Sequence, residues 1–230
     1  MITTKEKRDE FVNSGSEIKD ELLSIFSADG RINIADIGSC DGLSSVIYSR
    51  IFPKAFLFVF EPLDTNVKQI YENFMEYGIS DRTIIYPYTL GDVRGTVKFY
   101  QSYGQAEWVE GWETGNKSSS LLRPKKHLQQ HVWCKFKESK AEVRRLDDIG
   151  LMSPVDFAHI DVQGAEIRVL KGGAKTFKGT KAIWLEVANI DLYDGQPLKA
   201  DICRHLCNDF NIVKDTCGKD KSGDVLFVRK

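Results

Sequence analysis

The 230-residue chain carries 32 basic and 33 acidic residues, a formal net charge of −1, and is 42% hydrophobic. Near-neutrality argues against a duplex-DNA binder, which needs a basic face to neutralise phosphates, and no apolar run approaches the ~20 residues that span a bilayer. At ~100–200 residues per domain, with α/β folds often longer, the length suits one domain that buries its core without disulfides or metal.

The first thirty residues read as an amphipathic helical extension. Thr3 and Glu6 have capping-box spacing, and Phe11, Ile18, Leu22 and Ile25 recur at turn multiples. Residues 1–6 lack an apolar signal core. Cys40, Cys134, Cys203, Cys207 and Cys217 are scattered and odd in number, unlike a secreted scaffold. The cytoplasm is therefore the expected compartment. From residue 31 a single α/β domain is expected. Ile32–Ile37 closes on Gly38 as a buried strand, and a helix follows through Leu43, Val46, Ile47 and Ile51. Ala55–Phe60 is a second strand ending on Glu61-Pro62. A helix then runs through Val67, Ile70 and Phe74 to Gly78, and Thr83–Tyr86 is a third strand ending toward Thr89-Leu90. That alternation means βαβ units and a parallel sheet.

Residues 101–135 break the rhythm. They hold Trp108, Trp112, Trp133, the Ser118-Ser119-Ser120 run and Lys125-Lys126 without periodicity. Three tryptophans argue against disorder, so this insertion is expected to wall a binding site, with an extra packed hairpin or helix as the alternative. The rhythm resumes with a strand at Pro154–Asp161, a helix at Ala165–Leu170 stopped by Gly172-Gly173, and a strand at Lys181–Val187. A helix through Ile202 and Leu206 and an antiparallel pair, Phe210–Val213 with Val225–Val228, close the chain.

Ligands of open parallel sheets bind at the carboxyl ends of the strands. Here those ends carry Asp36, Glu61, Asp161 and Glu186, an acidic rim. The turn Gly38-Ser39-Cys40-Asp41-Gly42 is not the G-x-G-x-x-G of dinucleotide sites, and an acid within it repels phosphate. Asp41 suits an ammonium or sulfonium, and Glu61 suits the hydroxyls of a ribose. Ribose and amino acid without phosphate describe S-adenosylmethionine.

Ile34-Ala35-Asp36-Ile37-Gly38, Asp41-Gly42 and Phe58-Val59-Phe60-Glu61-Pro62, with Asp161-Val162-Gln163-Gly164-Ala165-Glu166, Gly172-Gly173 and Trp184-Leu185-Glu186-Val187, resemble the FkbM-type methyltransferases. The resemblance spans about residues 30 to 230. One departure is Cys40, where the family commonly has Asn. The resemblance implies a Rossmann-like class I methyltransferase fold with a mostly parallel seven-stranded sheet and helices on both faces. It also implies O-methylation, often of sugars or of hydroxyls on natural products.

Methyl transfer from a sulfonium is in-line, so catalysis is mostly alignment, and a sugar hydroxyl gains from a base within hydrogen-bond reach. Asp161 is the expected base, with holding the cofactor's ammonium as its competing role. Glu186 is a second base or orients the acceptor. Asp36, Gly38, Ser39, Asp41, Gly42, Glu61 and Pro62 are expected to bind the cofactor, with Thr89 and Leu90 beside its adenine. Trp108, Trp112, Ser119 and Ser120 are expected on the acceptor side. His159 leaves the same sheet face as Asp161; a satisfied core histidine is preferred for it over an acceptor contact. Glu166 suits the start of its own helix. His127-x-x-x-His131-x-x-Cys134 has metal-ligand spacing, but no Glu follows His127, and Mg²⁺ on the acidic rim is the better metal alternative; no metal is expected. Arg123, Lys125 and Lys126 read as a solvated turn, with an acceptor phosphate as the alternative. The expected partner is a small-molecule or saccharide acceptor, possibly nucleotide-linked, and not nucleic acid. The competing functions are an NAD-dependent oxidoreductase, which should show G-x-G-x-x-G, and a catalytically silent nucleoside-binding module, which should have lost the rim acids.

Overall fold

The computed structural model describes residues 2–105, 108 and 114–230. Two helices, α1 (Lys5–Ser14) and α2 (Lys19–Ile25), precede the first strand. The apolar spacing predicts one helix, but Gly15 at φ +77° ends α1 and redirects the chain. The cap also falls one residue later than the spacing suggests: Thr4 Oγ1 accepts the Lys7 N–H at 3.4 Å.

β1 (Asn33–Ile37), α3 (Leu43–Ile51), β2 (Phe56–Phe60), α4 (Asp64–Glu76) and β3 (Thr83–Tyr86) form consecutive βαβ units. An excursion follows: β4 (Thr89–Leu90), β5 (Gly95–Tyr103), α5 (His127–Gln130) and β6 (Lys135–Arg144). The chain then completes the sheet with β7 (Phe157–Ile160), α6 (Glu166–Gly172), β8 (Ala182–Ala188), α7 (Lys199–Leu206), β9 (Phe210–Asp215) and β10 (Ser222–Arg229).

The seven-stranded sheet has the order β3-β2-β1-β7-β8-β10-β9. It is parallel from β3 to β8, and β10 runs antiparallel to both its neighbours. The chain leaves β1 in one direction for β2 and β3 and returns on its other side as β7. The carboxyl ends of β1 and β7 therefore flank the switch point, where an open sheet parts to admit a ligand.

Both faces are covered, which is why these strands read as continuous apolar runs. Ile34, Leu57, Val59 and Phe157 face a cluster that includes Leu22, Val46 and Phe74 from the helices before β3. Ala35, Phe58, Ile160 and Leu185 face Val169, Leu170, Ile202 and Leu206 of α6 and α7. Burying each large side chain contributes ~1.5–3 kcal/mol before chain entropy is counted. Among the described residues no helix is long and apolar enough to cross a membrane.

The excursion makes its own three-stranded sheet, β4-β6-β5, and so has more regular structure than its sequence suggests. Thr89-Leu90 belongs to this second sheet, not to the end of β3. Gly172-Gly173 ends α6 as expected, and an added Cβ on Gly172 would sit 1.9 Å from the Gly91 carbonyl oxygen. That close approach seats the second sheet on the first.

Candidate active site

The turn after β1 is tied to β2. The N–H groups of Gly38 and Ser39 donate to Phe60 O at 2.9 and 3.2 Å, and Gly42 N–H donates to Ser39 O at 2.9 Å. Gly38 is required twice over. Its φ is +86°, and a Cβ there would meet the Asp161 carbonyl oxygen at 1.8 Å. Gly42, at φ +78°, starts α3, and Asp41 Oδ1 accepts the Leu43 N–H at 3.3 Å while Oδ2 accepts that of Ile2 at 3.4 Å.

Asp36 is buried on a core-facing position. Unpaired, such a charge would cost several kcal/mol; three donors offset this. Ser39 and Ser45 hydroxyls donate at 2.7 and 2.6 Å, and His159 Nδ1 lies 3.1 Å from its other oxygen. Burial opposes protonation of His159, but the Asp36 carboxylate outweighs it and holds the imidazole above its ordinary value. His159 is thus a satisfied, largely buried histidine, as preferred, although its ring also borders the cleft.

Glu61, at the end of β2, is buried and accepts N–H groups from Cys40 and Leu63, each at 3.0 Å. Burial pushes its carboxyl up to about 7, against these donors. It faces a cleft at the carboxyl ends of β1, β2 and β7. Tyr88, Thr89, Leu90 and Phe99 from the excursion line one side; Asn116, Lys117, Ser119 and Leu121 form a wall; Gly38, Pro62 and Asp161 complete the floor. An adjoining recess is bordered by Ser39, Asp41, Ser44 and His159. Gly38, Cys40, Lys117 and Asp161 border both spaces.

Asp161 and Glu186 are brought together by a residue to which the sequence reading gave no role. Gln163 Nε2 donates to Asp161 Oδ1 at 2.7 Å and to Glu186 Oε2 at 3.0 Å. Glu186 is held well above the ordinary carboxylate range, first by burial and then by the charges of Asp161, Glu166 and Asp224. Glu166 accepts the N–H groups of Val162 and Gly164 at 3.2 and 2.9 Å, which secures the loop entering α6. Burial pushes it up to about 8.

The expected acceptor residues divide. Ser119 lines the cleft, with its hydroxyl beside Ser102. Ser120 is buried instead, donating to Gln163 O at 2.7 Å. Trp108 is 76% exposed and does not border the cleft. Trp112 lies outside the described residues. Lys125 and Lys126 both pair with Asp191, so neither extends toward the cleft as a free cation. Among the described residues, the cation that lines it is Lys117, which no sequence pattern singled out. His127 Nε2 meets Ser118 Oγ at 2.9 Å, and burial with neighbouring His131 pushes its imidazole down to about 4. The Cys134 thiol points to Gly115 O. Among the described residues no group of three or more His, Cys, Asp or Glu side chains is disposed to hold a metal ion.

The sequence pattern of the Methyltransferase FkbM domain matches residues 36–213. The chain is 33% identical over 220 residues to the 2-O-methyltransferase NoeI of Sinorhizobium fredii, covering 93% of this chain and 86% of that protein. Two solved structures share the fold. One is a Clostridium thermocellum protein assigned as an rRNA-methylase, with TM-score 0.53, 11% identity and coverage of 99% and 98% of the two chains. The other is in a fibrillarin/Nop5p complex, with TM-score 0.51, 13% identity and coverage of 94% and 81%. The excursion sheet, the carboxylate pair and the Gly38–Gly42 turn all fall within the matched span, and the chain belongs to the FkbM family of S-adenosylmethionine-dependent methyltransferases.

Proposed function

We propose that this enzyme methylates a hydroxyl of a saccharide, a glycan precursor or a polyhydroxylated natural product, with S-adenosylmethionine bound on the floor of the cleft. The carrying observation is that Asp161 and Gln163 line the cleft beside the 116–121 wall and that the Gln163 amide joins Asp161 to Glu186. The name of NoeI, a 2-O-methyltransferase, supports oxygen as the acceptor atom.

The residues of the cleft fit the cofactor. Glu61, a buried carboxyl titrating near 7, would both accept from and donate to ribose hydroxyls. Tyr88, Thr89, Leu90 and Phe99 offer a mostly apolar side for the adenine, with Pro62 beside Glu61. Gly38 and Ser39 would border the methionine portion, and Gly42, whose missing Cβ makes room for Phe74, would set the course of that turn. Asp36 and Asp41 would shape that turn through Ser39, Ser45 and the start of α3. Lys117 would pair with the methionine carboxylate. When bound, S-adenosylmethionine supplies an electrophilic methyl group on a cationic sulfur.

Asp161 would take the proton of the acceptor hydroxyl, and Glu186 would orient that hydroxyl as a neutral partner. The acceptor would lie against Ser119, with His159 behind Asp161. Trp108 belongs to the same excursion and would meet only a larger acceptor. Five cysteines without a disulfide support a reducing, cytoplasmic setting.

The test combines calorimetry with S-adenosylmethionine and NAD and a mass-spectrometric screen of sugars, nucleotide-sugars and peptides for an added methyl group. Binding of S-adenosylmethionine alone, with methylated saccharide, is expected. Binding of NAD instead, methyl groups found only on peptide nitrogen, or no product from any acceptor would overturn the reading.

A further inference from the structure

We propose that Gln163 is a positioning residue of the reaction: its side-chain amide clamps the Asp161 and Glu186 carboxylates in one fixed arrangement and ties that arrangement to the acceptor wall. The inference rests on the role given above to the carboxylate pair.

Three features of Gln163 point the same way. The first is its backbone, at φ +55°, a left-handed conformation uncommon outside glycine. Such a conformation persists only where the surroundings over-determine it, and it gathers at functional sites. Gly164 follows at φ +92°, and together they fold the side chain back over the end of β7.

The second is the amide itself. Its two N–H bonds go to two different carboxylates, at 2.7 Å to Asp161 Oδ1 and 3.0 Å to Glu186 Oε2. One planar group thus braces two neighbouring acids, of which Glu186 is the one pushed toward its neutral form. An amide neither gains nor loses a proton in the working range, so the clamp persists through any change of protonation in the pair.

The third is the link outward. Tyr193, which is buried, has its hydroxyl 2.8 Å from Ser118 O, to which it donates, and 3.2 Å from Gln163 Oε1. Ser120 Oγ donates to Gln163 O at 2.7 Å. Ser118 and Ser120 flank Ser119 on the cleft wall. A shift of the wall on acceptor entry therefore reaches the pair through Gln163.

Hydrogen bonds to an ionised carboxylate favour the ionised form, so removing the amide should move the titration of the pair upward. The groups facing the pair are Glu166 from the start of α6, Asp224 from β10, His159 from β7, Tyr193, and Lys117 across the cleft. The experiment follows the Glu186 side-chain carboxyl carbon by ¹³C NMR through a pH titration of the free protein, assigned with Glu186→Gln. Two variants are compared with the parent: Gln163→Met, which keeps the length of the side chain, and Gln163→Gly, which suits the left-handed backbone and so secures the fold. Thermal unfolding checks both.

The expected result is a Glu186 midpoint raised by about one pH unit in each variant, with S-adenosylhomocysteine affinity by calorimetry within about threefold of the parent. A midpoint unchanged in either folded variant would overturn the proposal and leave Gln163 a loop-shaping residue. Because the titration needs no cofactor, failure to bind S-adenosylmethionine would count against the proposed function and not against the clamp.

Discussion

The floor and the wall of the cleft are held by different kinds of contact. On the floor, the turn from Gly38 to Gly42 joins a strand to the helix that follows it, and it is fastened by backbone bonds to the adjacent β2 and by Glu61, 21 residues from Cys40. On the wall, Asn116–Leu121 has one pair of backbone bonds, between Ser120 and Tyr100, and otherwise takes its position from side-chain contacts that reach Ser102 across 17 residues, Gln163 across 43 and Tyr193 across 75. A floor of strand ends and backbone bonds tolerates little change, because a backbone bond cannot be re-aimed. A wall fastened by serine, tyrosine and amide side chains can be reshaped residue by residue. Under the proposed function, the cofactor would meet the rigid part and the acceptor the adjustable one.

The sharpest way to break the contrast is at the floor. Gly38→Val places branched carbon where the Asp161 carbonyl already lies within 1.8 Å of a single Cβ. We expect loss of all measurable S-adenosylmethionine binding by calorimetry and a markedly lower unfolding temperature; near-parental binding would show that β1 and β7 can part. Next in size is Asp161→Asn at the seam. A general base contributes ~10²–10⁴-fold, so turnover of an identified acceptor should fall by that factor while cofactor affinity holds within a few-fold. A loss confined to cofactor affinity would instead make Asp161 the ammonium's partner.

The smallest effect is expected on the wall. Lys117→Met should weaken S-adenosylhomocysteine by ~10-fold, the worth of one charge-assisted hydrogen bond. It should leave 5′-methylthioadenosine, which has no carboxylate, unaffected. Equal weakening of both nucleosides would mean that Lys117 acts by packing, and no change in either would send its charge to the acceptor.

The same division explains what could be read beforehand. The strands at β1, β2, β7 and β8 were legible because a sheet buried on both faces demands unbroken apolar runs, and their terminal acids stood out against that background. Hydrophobic spacing carries on across Gly15 and so suggests one N-terminal helix, whereas the backbone turns there and makes two. Thr89-Leu90 was placed at the cleft but attached to the wrong sheet, because a two-residue strand has no periodicity. Ser119 and Ser120 looked equivalent; one lines the cleft and the other is spent on Gln163 O.

By itself, then, the sequence determined the alternation of strands and helices, the family and the acids at the strand ends, all of which arise from local pattern within a few turns of chain. Only the tertiary structure decided that Asp36 is consumed by Ser39, Ser45 and His159, that Asp161 and Glu186 share one amide, and that Lys117 rather than Lys125 or Lys126 lines the cleft. Each turns on at least one distant meeting, such as Gln163 with Glu186 across 23 residues and Asp36 with His159 across 123, and no periodicity encodes such a meeting, because it is set by how whole layers pack.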